Sequence, residues 1–187
     1  MTKTNMLTLI ILVAFCLGPI SKTFSQATIS ADTIKNMLIK DWERAKSYTQ
    51  EYMSAMPANK YSFRASDSVR TFAQQLLHLA SANMFFVSTA TGAKSPYAGP
   101  ILEKSTSAQG ADSAQYYVNS SYDFAINELR KMPASALTQA RTSMGRPMTE
   151  SSLTWFMKGF EHQTHHRGQT TIYLRLAGVH PPQERLF

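Results

Sequence analysis

Two histidines four residues apart on a helix can present ring nitrogens to one point in space. His162 and His166 form such a pair within Glu161-His162-Gln163-Thr164-His165-His166-Arg167-Gly168-Gln169, a run that holds three of the five histidines of the chain. The spacing predicts one long helix from Ser151 to Ala177, with Gly159 and Gly168 as its only weak points. At about 100° per residue, Trp155, Gln169 and Tyr173 fall within about 20° of His162, and His166 lies about 40° round. His165 lies about 60° to the other side, and Arg167 points away from the stripe. Two neutral imidazoles on one helix face make half a site for Zn²⁺, Ni²⁺, Fe²⁺ or Mn²⁺.

A further ligand has to come from elsewhere, and the remaining histidines are His78 and His180. His180 lies between Val179 and Pro181 in what reads as an exit loop. His78 sits in Thr71-Phe72-Ala73-Gln74-Gln75-Leu76-Leu77-His78-Leu79-Ala80, an apolar helical stretch in which a titratable group must find a partner or face something polar. His78, His162 and His166 then make three ligands from two helices, with a coordination position left free. The competing interpretation is a solvated or core-satisfied HxxxH pair and a satisfied core histidine. A zincin is excluded, since that motif needs Glu directly after its first His and the chain has Gln163 there. Gln169 and Tyr173 share the His162 face and are candidates for holding an imidazole or touching substrate, or equally for a plain inter-helix contact. Glu161 and Glu128 are the nearest candidates in sequence for fixing an imidazole tautomer.

The elements that position these residues follow from composition and periodicity. The 187 residues, 43% hydrophobic and 17% charged, suit one globular domain with a sizeable core and exclude a disordered chain. Residues 1–25 have the layout of a secretory signal peptide: Lys3, an apolar Met6–Leu17 run, a Gly18-Pro19 break, and small residues in Thr23-Phe24-Ser25 before Gln26. The apolar run is too short for a spanning helix, which needs about 20 residues. The expected product is an exported domain of residues 26–187, periplasmic or extracellular, with no stable membrane span. Its formal charge falls from +7 to +5, since the leader carries Lys3 and Lys22 and no acidic residue. The single cysteine, Cys16, leaves with it, so the mature chain offers no thiol nucleophile. The remaining basic residues stand singly without interleaved aromatics, which argues against nucleic acid as a partner.

Helix one is predicted from Thr33 to about Met56 with Asp32 as N-cap, and helix two from near Asp67-Ser68 to about Ala90. A Gly/Ser/Pro-rich crossover, Gly92–Gly110, contains Tyr97 as a pocket or surface residue. Helix three runs over Ala111–Lys131, and a second long connection, Pro133–Pro147, precedes a last helix that begins near Thr149 and is closed by Gly178. No strand is predicted. The fold class is all-α, a four-helix bundle with long crossover connections, an architecture that builds metal sites from facing helices.

Met56–Arg64, Val69–Ala80, His162–Gln169 and Leu174–Pro182 together resemble the DinB/YfiT-like superfamily, and the resemblance runs from about Thr33 to about Glu184. That family places one histidine on its second helix and two, four apart, on its last. Carried over by position, the resemblance implies a divalent metal held by His78, His162 and His166. It also implies a helical bundle, and it brings thiol-dependent transferases as relatives.

An open position on a three-histidine metal would serve hydrolysis of a small substrate or S-transfer from a low-molecular-weight thiol. Export favours hydrolysis, because such thiols are mainly cytosolic. A non-catalytic metal-binding module is the rival class. The expected partner is a small-molecule substrate, and a homodimer is left open. Metal occupancy is expected to fall below about pH 6.5, where free imidazole protonates.

Overall fold

Three of the four long helices start where a Ser or Thr side chain accepts from a free amide of the first turn, and one starts after Gly110 without a side-chain cap. In the computed structural model, which describes residues 28–97, 99, 101–143 and 147–187, these starts give four helices. They are α1 (Ala31–Ala55), α2 (Phe72–Thr91), α3 (Ala111–Lys131) and α4 (Ser152–Leu176). The leader expected over residues 1–25 lies outside the described residues. Among the described residues no helix is long and apolar enough to cross a membrane.

The first cap is Ser30 rather than Asp32. Its Oγ accepts from the Thr33 amide at 3.1 Å, which moves Asp32 into the first turn, where its charge favours the positive end of the helix dipole. Helix α2 also starts later than expected. Thr71 caps it by a reciprocal capping box with Gln74, the Thr71 Oγ1 accepting from the Gln74 amide and the Gln74 Oε1 from the Thr71 amide. Residues 67–71, expected to open the helix, instead belong to a segment that doubles back, with Phe72 N–H donating to the Phe63 carbonyl at 2.8 Å. Helix α2 stops at Gly92 and α4 is followed by Gly178, both with left-handed φ near +76° and +75°.

The absence of strands is corrected in one place. Strands β1 (Ala140–Thr142) and β2 (Thr149–Ser151) pair antiparallel, Ala140 opposite Ser151 and Thr142 opposite Thr149. The short ladder sets the entry to α4: Ser151 caps it by accepting from Thr154 N–H, Ser152 Oγ donates to the Ala90 carbonyl at 2.6 Å, and Trp155 Nε1 donates to the Arg141 carbonyl at 2.9 Å.

Helix α2 is the centre of the bundle, packed on α3 and α4, with α1 covering α3 and α4 from the other side. Trp42, Phe72, Leu76, Leu77, Tyr122, Leu129, Phe156 and Leu174 are fully buried between them. Gly159 of α4 lies close against α2. A Cβ there would stand 3.0 Å from the Phe86 Cβ, so a side chain would push the helices apart one turn before His162. What reads in sequence as a weak point in a helix is what lets α4 lie against α2.

Candidate metal centre

Helix α2 contributes His78 and α4 contributes His162 and His166, and the packing of the two helices brings all three together. One ring nitrogen from each lies within 4.8 Å of the other two. The His162 and His166 Nε2 atoms are 3.1 Å apart, close to the span of about 3.3 Å between two imidazole nitrogens on one tetrahedral ion. The ring of His78 lies 5.2 Å from that of His162 and 4.6 Å from that of His166.

The donor set suits a cation. Burial pushes the His166 ring down to about 3 and the His162 ring down to about 4, helped by the neighbouring imidazoles and by Arg70. Burial also lowers His78 against the opposing pull of Glu103, with a smaller push from Arg70 in the same direction as burial. All three rings are therefore neutral at pH 7, the form in which imidazole binds metal.

The rings are oriented from outside. His78 Nδ1–H faces Glu103 Oε2 at 2.6 Å, which leaves its Nε2 free. Glu103 is gripped in turn by Arg70, Nε to Oε2 at 3.2 Å and Nη2 to Oε1 at 3.1 Å. His166 Nδ1 meets the Gln75 amide at 2.8 Å. Gln75 also bonds the Gln169 Oε1, and the Gln169 amide meets His165 Nε2 at 2.9 Å. His162 Nδ1 is buried and has no partner among the described residues.

The residues singled out in sequence therefore divide. His78, His162 and His166 converge. Gln169 touches His165 directly and His166 only through Gln75. Tyr173 does not reach the histidines; its hydroxyl donates to the Arg70 carbonyl at 2.7 Å and so steadies the residue that grips Glu103. His165 is exposed, and His180 lies in the tail with its Nδ1 at the Pro181 carbonyl. Glu161 and Glu128, expected near an imidazole, pair instead with Lys158 and Lys131. Tyr97 stacks edge-on against Tyr117 on α3 and lines a cavity separate from the histidines. Sequence reading passed over Glu103, Arg70 and Gln75. A signal for Glu103 was present, since it is the only acidic residue between Asp67 and Asp112.

His78 and His162 open onto a cavity of about 930 Å³. Its lining includes the apolar Phe85, Phe86, Ile101, Met148 and Trp155 and the polar Thr154, Lys158 and Glu150. Concave, mostly apolar space with a few convergent polar groups is the usual form of a small-molecule site.

Comparison with known proteins agrees with this architecture. A DinB-like protein from Bacillus cereus ATCC 10987 superposes with a TM-score of 0.67 at 20% identity, over 80% of this chain and 97% of that one. A DinB-like protein from Bacillus subtilis superposes with a TM-score of 0.59 at 15% identity, over 81% of this chain and 96% of that one. What these two share with the chain is the fold. No curated protein matches it. The sequence model of the DinB family matches residues 30–185, nearly all of the described chain, and the chain belongs to the DinB family.

Proposed function

We propose that the protein is an exported metal-dependent hydrolase of a small molecule, with His78, His162 and His166 holding one divalent transition metal. The observation that carries this reading is the convergence of three neutral imidazoles, two of which, His78 and His162, line a cavity of about 930 Å³. A metal held there supplies Lewis acidity toward an oxygen of the substrate or of water. The protein's own part is to keep the three rings neutral by burial, to orient His78 through Glu103, and to offer an apolar lining that excludes water from bound substrate. Export rests on the leader sequence alone, and zinc, nickel, iron and manganese all suit the donor set.

The test compares zinc-loaded protein with its His162→Ala variant on a panel of p-nitrophenyl esters and anilides. The same pair is assayed for conjugation of a small thiol to an electrophile. Hydrolysis that vanishes in the variant supports the proposal. Thiol conjugation without hydrolysis transfers the assignment to S-transfer, and metal binding with neither activity leaves a non-catalytic metal module.

A further inference from the structure

On the side of α4 away from the histidines lies a second cavity, of about 400 Å³, between Tyr48 and Tyr52 of α1 and the C-terminal tail. The tail is pinned over it by Arg185, whose Nη1 donates to Glu51 Oε1 at 2.5 Å and to Ser47 Oγ at 3.2 Å, and whose carbonyl accepts from Arg44 Nη1 at 2.8 Å.

Arg167 lines this cavity and is 6% exposed. Its Nη1 donates to Gln163 Oε1 at 2.7 Å and stands 3.5 Å from Thr49 Oγ1, and its guanidinium lies 4.7 Å from the centre of the Tyr48 ring. Among the described residues no carboxylate pairs with it, and its Nε and Nη2 have no hydrogen-bond partner, although neither is sealed from solvent. A buried cation without an anion is costly, and an amide oxygen with one aromatic face offsets only part of that cost. The free Nε–Nη2 edge is the planar fork that receives two oxygens of one anion. Arg175 and His180 add donors to the same walls, and Glu184 is the one acidic residue there.

We propose that this cavity binds a small oxyanion, a carboxylate or a phosphate, on the free edge of Arg167. The tail forms one wall of the site, and Glu184 competes with the incoming anion.

Calorimetric titration of the full mature chain with sodium acetate and with sodium phosphate, at ionic strength held constant with chloride, tests this. It is run on zinc-loaded and on chelator-treated protein. Saturable binding of either anion is expected in both forms, and which anion saturates assigns carboxylate or phosphate. Arg167→Lys keeps the charge but loses the fork, and binding should weaken about tenfold or more. Glu184→Gln should tighten it. If Arg167→Lys does not fold, Arg175→Gln takes its place and should also weaken binding. No saturable response to either anion, a response lost on chelation, or affinities unmoved by these substitutions would overturn the proposal.

Discussion

Nδ1 of His78 and Oε2 of Glu103 lie 2.6 Å apart, joining the central helix of the bundle to the crossover between α2 and α3. The carboxylate is itself held by two nitrogens of Arg70, so the His78 ring is fixed by a residue 25 positions away in sequence. Glu103→Ala should lower metal affinity about 10–100-fold, the usual cost of losing a group that orients a ligating imidazole. Helical circular dichroism should be unchanged. Chelator competition measures the affinity, and an unaltered value would show that His78 needs no orientation from Glu103.

Gln75 tests the other ring. A metal at Nε2 of His166 requires the proton on Nδ1, and Gln75 then has to turn its carbonyl toward the ring. Gln75→Leu removes that acceptor and should weaken metal binding about 10–100-fold, whereas Gln75→Glu keeps an acceptor and should retain most of it. Equal loss in both variants would make Gln75 a packing residue only.

The pH dependence of the metal-free protein has a definite sign. An unfolded histidine titrates near 6.5, while in the fold burial lowers His162 to about 4 and His166 to about 3. Between these values the unfolded chain binds more protons than the folded one, so stability falls as pH drops from about 6.5 toward 3 and is fully present above 6.5. Denaturation midpoints of the parent should fall over that window more steeply than those of a His162→Asn/His166→Asn double variant. Parallel curves would mean the rings carry no such shift. The same burial revises the expectation for metal loading. Proton competition at these two rings begins below the pH at which free imidazole protonates, so occupancy should persist somewhat under pH 6.5.

Much of this was legible in sequence because it depends on local pattern. The i, i+4 spacing of His162 and His166, the apolar setting of His78, the bounds of α3 and the stop at Gly178 are all properties of short windows. The strands were missed because Ala140–Thr142 and Thr149–Ser151 are three residues each, too short to show alternation, and exist through pairing with each other. Helix α2 was begun too early because Asp67 and Ser68 look like caps. The choice of Thr71 is made by its reciprocal bonds with Gln74 and by the return of the chain onto Phe63. Glu103 and Arg70 were missed for a different reason. Glu103 lies far in sequence from His78, and only the path of the crossover brings this lone carboxylate to the ring, while Arg70, close to His78 in sequence, owes its part to gripping that carboxylate. Tyr173 was placed on the correct face, yet its hydroxyl goes to the Arg70 carbonyl. Helical angle gives the direction of a side chain and leaves open what fills the space in front of it.

The leader is a separate expectation. If residues 1–25 direct export, intact-mass measurement of protein recovered from its native host should give a chain beginning at Gln26. A retained Met1 would contradict cleavage and remove the argument for an envelope substrate.

Metal content measured across four single variants tests the central claim most directly. Parent protein, purified and loaded with zinc, should hold one ion per chain. His78→Ala, His162→Ala and His166→Ala should each weaken binding by far more than the 10–100-fold of an orienting residue. His165→Ala should bind as the parent does, because its ring is exposed and faces Gln169. Helical content should survive in all four, since the apolar core between the helices is built from residues other than the histidines. Parent-like binding in all three histidine variants, or a loss in His165→Ala equal to that in His166→Ala, would contradict the assignment and leave the hydrolase proposal without a centre.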